Sequence, residues 1–261
     1  MILHFYKEPG TTKKESKKMT DFFNLAVTKG GKIKINPDCL MSDKLKVLCR
    51  YVEQGYIVVE NYFKHPFIKT FDLRIFSNKK SLISYWESEW ADFNLEPACW
   101  MVASGTEKVL AILSPEHWES ETCEHNFSNE SRTKRIIIHE LVHVFHDQYN
   151  PKQQFVEMEP LTWFVEGVAV QVSGQENDIH QSSAREAVRL GKVPKSLDQA
   201  WTGKYRYSIS GSLVGYIESI FGREMIFELL ECTDENSLLE RIGLSAQELL
   251  EEWEKFVIDK E

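Results

Sequence analysis

The stretch "RIIIHELVHVFHDQYN", residues 135–150 of a 261-residue chain, holds three of the chain's eight histidines, with an acid among them. His139 and His143 are four residues apart. On a helix of 3.6 residues per turn they stand about 40° apart on one face, one turn along the axis, so two imidazoles can share one tetrahedral ion. Glu140 lies about 100° round from His139, where it reaches a water beside such an ion rather than the ion itself. Two metal ligands and a general base thus come from one helical turn, the HExxH arrangement. His146 shares the face, but it lies about 10 Å along the axis from His139, too far for one ion with roughly 2 Å bonds to take all three. His146 is read as a core or supporting histidine, and Asp147 as a surface or supporting acid.

A third ligand must come from another element. The pattern HExxHxxGxxH is not met, because His146 and Tyr149 occupy its last two fixed positions. The later segment "PLTWFVEGVAVQVSG" places Glu166 inside an otherwise apolar helix, beside Gly167. A carboxylate buried there needs a counter-charge, which a metal ion supplies. Gly167, lacking a side chain, would let two helices approach closely. The alternative at this point is a Glu166 that faces solvent on an amphipathic helix.

The elements that position these residues follow from pattern and punctuation. The isoleucine run before His139 makes a buried helix, and Asn150-Pro151 ends it, since proline cannot continue the hydrogen-bond ladder. Upstream, residues 7–18 are polar and basic, and Lys32–Ile35 alternate as a short strand stopped by Asn36-Pro37. Ser42 caps a helix through about Phe63, with Leu45, Leu48, Cys49, Val52, Tyr56 and Val59 at helical spacing. "FDLRIFS" alternates as a strand and "KKSLISYWESEWADF" as a helix. "ACWMVAS" and "KVLAILS" read as a hairpin turning at Gly105-Thr106. "ESETCEHNFSNESRTK" reads as a loop. Downstream, Pro160 suits the first turn of a helix to about Gly174. Further helices are expected over Ser183–Leu190, over Tyr207–Phe221 with a stop at Gly222, and twice in the last forty residues. Strands first and helices after imply α+β. The expected organisation is an N-terminal segment 1–30, an α/β part 31–127 with a small mixed sheet and edge hairpin, and a helical part 128–261 carrying HExxH and the third ligand, the last two forming one catalytic unit.

Composition narrows the function. Hydrophobic residues are 42% and charged residues 27%, enough for a core. A net charge of −9 argues against nucleic acid and anionic membrane surfaces as partners. Cys39, Cys49, Cys99, Cys123 and Cys232 are widely spaced with no CxxC pair, so free thiols in a reducing cytosol are expected. The N-terminus breaks into charge without an apolar leader core, and no apolar run approaches the roughly 20 residues of a bilayer span. A soluble, cytoplasmic protein is expected. The tryptophans are assigned to the core, with Trp100 and Trp118 as exceptions flanking the hairpin.

"HELVH" followed by "WFVEGVA" resembles the gluzincin metallopeptidases, in particular the peptidase MA-like branch, whose signature is HExxH and then W-x-x-E-G-x-A. "YSISGSLVGYIESIFG" is similar to that family's downstream helix, and the hairpin sits where the family has its edge strand. The resemblance covers roughly residues 70–232. It implies a zincin-like fold in which His139, His143 and Glu166 hold Zn2+ and Glu140 is the general base. Tyr207, with Tyr205 as a near neighbour, would donate a hydrogen bond to the tetrahedral oxyanion. Thermolysin-like relatives have an aspartate where this chain has Val170, which leaves Glu157, Glu159 and Asp147 as candidate partners for the ligand histidines. The implied activity is zinc-dependent hydrolysis of a peptide or protein substrate, held along Lys108–Leu113 or Ala98–Ser104 by strand addition. The alternative is a zincin-fold binding or regulatory protein with weak or no catalysis.

Overall fold

The computed structural model describes residues 22–34, 41–90, 97–155, 157–175 and 178–259. The expectations for residues 7–18, for Asn36-Pro37 and for Cys39 lie outside these. The described residues form two compact units, one from those up to Val58 with those of Lys69–Val144, the other from Val59–Ile68 with those from Phe145 onward.

In the first unit, alternating apolar runs make a five-stranded mixed sheet in the order β2-β1-β3-β5-β4. The strands are β1 (Phe22–Val27), β2 (Ile33–Lys34), β3 (Phe71–Phe76), β4 (Ala103–Thr106) and β5 (Val109–Leu113). β3 and β5 are parallel, and every other pairing is antiparallel. The period of two in β3 divides its side chains between two faces. Phe71 stacks on Tyr56 of helix α1 (Asp43–Phe63), while Phe76 and Arg74 lie against Tyr85 of α2 (Lys79–Glu89). Both helix starts are capped by side chains, which satisfy amide donors left free in the first turn. Ser42 Oγ accepts from the Leu45 N–H at 3.2 Å and Asn78 Oδ1 from the Ser81 N–H at 2.9 Å.

The β4–β5 hairpin is present, but its turn falls at Glu107-Lys108, beyond the Thr106–Val109 pair, and not at Gly105-Thr106. Gly105 lies within β4, paired with Leu110. A Cβ there would sit 2.1 Å from the Glu140 carbonyl oxygen, so the glycine serves close approach of the strand to the HExxH helix rather than turn geometry. The turn is held instead by the buried Glu107 carboxylate, with Lys69 at 2.6 Å and Lys108 at 2.9 Å.

A 3-10 turn (Pro115–His117) and α3 (Trp118–Glu121) follow β5, and the stretch read as a loop, residues 119–134, takes in the end of α3 and the first turn of the next helix, which starts at Glu130. Trp118 is fully buried, its Nε1–H donating to the Leu113 carbonyl at 2.8 Å, so it belongs to the core and not to an exposed flank. Trp100 is half-buried, and the other tryptophans are buried as expected. Cys99 and Cys123 form a disulfide, against the expectation of free thiols. The hairpin returns the chain so that cysteines 24 residues apart meet, a closure that sequence spacing does not display. Cys49 and Cys232 are free and buried.

Helix α4 (Glu130–Tyr149), capped by Asn129, contributes to both units and ends before Pro151. The second unit is otherwise helical: α5 (Thr162–Val172), α6 (Asp178–Arg189), α7 (Arg206–Leu229), α8 (Glu235–Ile242) and α9 (Ala246–Asp259), with 3-10 turns at Glu159–Leu161 and Leu197–Trp201. The stop expected at Gly222 is a break inside α7, where φ is 81°. α5 and α7 pack without intervening side chains at Gly167, where a Cβ would lie 2.5 Å from the Ser210 carbonyl oxygen. Asn150 Nδ2 donates to the carbonyls of Leu230 (2.7 Å) and Cys232 (3.0 Å), fixing the end of α4. Among the described residues no helix is long and apolar enough to cross a membrane. The chain is thus mixed α+β, with strands early and helices late.

Candidate metal centre

α4 owes its place to apolar residues that recur around the ligand face. Ile137, Leu141, Val142, Val144 and Phe145 are all fully buried, so His139 and His143 are carried into the interior with them. The two imidazoles lie edge to face, centroids 4.8 Å apart. Glu166 is carried in by α5, every described turn of which is apolar around it, and is itself wholly inaccessible to solvent. One ring nitrogen from each histidine and one Glu166 carboxylate oxygen all lie within 4.8 Å of one another. The solvent-facing alternative for Glu166 is therefore excluded.

These residues fit a metal ion. A tetrahedral ion with bonds of roughly 2.0–2.1 Å sets its ligand atoms about 3.4 Å apart, a small contraction of the observed cluster. A buried carboxylate is costly without a counter-charge, and a divalent cation supplies one. Three protein donors leave a fourth position for solvent or substrate, the pattern of catalytic rather than structural sites. The nitrogen and oxygen donors suit zinc, and also other first-row divalent ions.

His146 is outside this cluster. It is fully buried, its Nε2 lies 3.1 Å from the Leu230 carbonyl, and that contact assigns the proton to Nε2. Burial pushes its pKa down to about 3, so it stays neutral. Asp147 is buried, and its carboxylate accepts the Gln154 N–H at 2.6 Å, so it is not a surface acid. Glu157 and Glu159 are exposed, and Val170 is buried in the core. Glu140 is buried on α4, and its own carbonyl is the group that Gly105 approaches. Tyr207 is half-buried in the first turn of α7, edge to face with Trp201 at 4.7 Å, while Tyr205, just before the helix, is buried.

Sequence reasoning missed a polar anchor for α5. Gln171 Nε2 and Tyr62 Oη each donate to Glu218 Oε2 at 2.8 Å, and Arg223 Nε donates to Oε1 at 2.7 Å. Burial alone would raise the Glu218 pKa, but the Arg223, Gln171 and Tyr62 hydrogen bonds outweigh it and hold the carboxyl below its ordinary value. No spacing rule joins residues 62, 171 and 218, so only the fold reveals them. No family model, curated protein or solved structure matches the chain.

Proposed function

We propose that this chain is a zinc-dependent peptidase of gluzincin type with a zincin-like fold, in which His139, His143 and Glu166 hold the ion. The observation that carries the reading is the convergence of those three buried side chains, two of them flanking Glu140 on one helical turn. When bound, zinc lowers the pKa of a water towards ~7 and polarises the scissile carbonyl.

The remaining work falls to the chain's own groups. Glu140 takes a proton from the attacking water and delivers it to the leaving nitrogen. Tyr207 donates a hydrogen bond to the oxyanion as the carbonyl becomes tetrahedral. β4 is one of the two outer strands of the sheet, and of the two hairpin strands it is the one at the edge, so an extended peptide would pair along β4. In this reading the Cys99–Cys123 bond favours an oxidising compartment over the cytoplasm.

The test combines metal content with turnover. Protein purified without chelator should carry about one zinc per chain, as one three-ligand catalytic site requires. It should also cleave members of a diverse peptide pool. Glu140→Gln should keep the metal and lose the cleavage. A metal-free protein, or cleavage that survives the substitution, overturns the proposal. Stoichiometric zinc without turnover on any peptide would favour the binding or regulatory reading.

A further inference from the structure

The segment that opens α7 gathers hydrogen-bond donors and cations, and two of them, Arg206 and the Trp201 indole, have no matching acceptor among the described residues. Arg206 is the first residue of the helix, and its guanidinium lies 5.4 Å from the Trp201 ring centroid and 5.5 Å from that of Tyr207. Two rings thereby hold a planar fork in place before any ligand arrives. Among the described residues no carboxylate pairs with it, although the chain as a whole carries a net charge of −9. Trp201 is only 5% exposed, yet among the described residues its Nε1–H has no hydrogen-bond partner. A buried donor left so is costly and marks a place where an acceptor belongs.

The surroundings share this sign. The Lys204 ammonium lies over the ring of the buried Tyr205, 4.4 Å from the centroid. Lys192 lies over the same ring at 5.9 Å. α7 runs from Arg206 to its break at Gly222 and starts without a side-chain cap, so the positive end of its dipole adds to these charges. The acids near this segment lie against other groups: Glu186 is 3.9 Å from Lys204, and Asp198 acts on Glu235.

We propose that Arg206, with the Trp201 indole N–H and the start of α7, binds a carboxylate of the substrate peptide. The position fits, because Ser210, one turn (about 6 Å) along the axis from Arg206, is the residue that α7 presses against Gly167, next to Glu166. The flat fork of an arginine matches the two oxygens of a carboxylate. On a peptide that group is either an Asp or Glu side chain or the C-terminus. The ligand's identity rests on the peptidase reading, but the anion site does not.

The experiment follows the Trp201 indole 15N–1H resonance in the zinc-loaded protein, assigned by its loss in Trp201→Phe. Three probes are titrated at fixed ionic strength: N-acetylglycine, with only a terminal carboxylate; N-acetylaspartic acid α-amide, with only a side-chain carboxylate; and N-acetylglycinamide, with neither. At least one carboxylate should move the resonance, the neutral amide should not, and the tighter probe identifies the source. Arg206→Gln should weaken that probe about tenfold or more, as loss of a charge-assisted hydrogen bond requires. Arg206→Lys, which keeps the charge without the fork, should fall between. Unchanged resonances from the other indoles verify that each variant is folded. An equal response to the neutral amide, titration of Arg206→Gln as wild type, or no response to either carboxylate overturns the inference. None of these outcomes bears on the peptidase reading, which fails instead on missing zinc or missing turnover.

Discussion

Two helical glycines on the same pair of helices should respond to alanine with opposite signs. Gly167 on α5 and Gly215 on α7 both lie at the α5–α7 contact, and neither has a positive φ. In a helix interior, Gly→Ala stabilises by about 1 kcal/mol through backbone entropy. At Gly215 the new methyl would meet Gln171 Oε1 at 3.3 Å, a side-chain atom that has to give only a few tenths of an ångström, by a small turn of the amide that keeps the Nε2–H bond to Glu218. Most of that 1 kcal/mol should survive. At Gly167 the methyl would meet the Ser210 carbonyl oxygen at 2.5 Å, its carbon at 2.8 Å and Val214 Cγ2 at 2.8 Å. These are roughly 1 Å short of ordinary contact, and two of the three atoms are backbone, so the helices themselves must part.

Overpacking of this kind costs about 1–3 kcal/mol, and the backbone clash argues for the upper end. Set against the propensity gain, Gly167→Ala should lose about 2 kcal/mol, and the two variants should differ by about 2–3 kcal/mol. Urea unfolding of the metal-free proteins, followed by far-UV circular dichroism, measures both. Displacing α5 also displaces Glu166, and ligand distances tolerate only about 0.2 Å. Competition against a chromophoric chelator should therefore show weaker zinc binding in Gly167→Ala and wild-type binding in Gly215→Ala. Equal stabilities would refute the packing argument. Lost stability with unchanged zinc affinity would show that Gly167 packs helices without setting the position of its neighbour.

The Cys99–Cys123 bond closes a loop over a separation of 24 residues, and loop-closure entropy gives it about 3 kcal/mol of stabilisation. The double variant Cys99→Ser/Cys123→Ser should unfold at correspondingly lower urea, and native wild type should leave both thiols unreactive to alkylation; two alkylated cysteines at these positions would contradict the bond. Acid should destabilise the fold through His146, whose pKa falls from the ordinary 6.5 to about 3 in the native state because burial disfavours its charged form. The unfolded chain then binds the extra proton between those values. The contribution is fully present above pH ~6.5 and declines by up to about 1.4 kcal/mol per unit as pH falls towards 3. Burial, with Arg132 adding to it, pushes His125 down to about 4 and adds the same sign. His146→Gln should be less stable at neutral pH but lose stability less steeply on acidification; parallel slopes for the two proteins would remove His146 from the account.

What was legible in the sequence was whatever lay within one element. His139, Glu140 and His143 are related by helical geometry alone, and the cap at Ser42, the break at Gly222 and the end of α4 at Pro151 are local chemistry. Glu166 stood out because a charge in an apolar helix needs a reason. What depended on distant parts of the chain was not legible. Cys99 and Cys123 carry no motif, and their meeting depends on the path of the hairpin between them. Trp118 looked like a flank, but the short helix α3 turns it inward against Phe127. The Glu218 anchor joins three elements, and the bare Trp201 N–H is a property of packing.

Gly105 shows how a local rule can select the right residue for the wrong reason. A glycine between two apolar runs reads as a turn, yet here it sits in β4, and the turn is made by Glu107-Lys108. Its lack of a side chain is needed because the Glu140 carbonyl occupies the place of a Cβ, 2.1 Å away. Gly167 repeats the logic: a Cβ there would enter the Ser210 carbonyl, and the residue before it is Glu166. In each compact unit, then, a glycine allows backbone to meet backbone at, or next to, an acid of the candidate centre. A side chain at such a point could change rotamer; two backbones in contact cannot. The position of a functional carboxylate is thereby tied to the least adjustable part of the fold, which is what a site requiring ligand placement to about 0.2 Å demands.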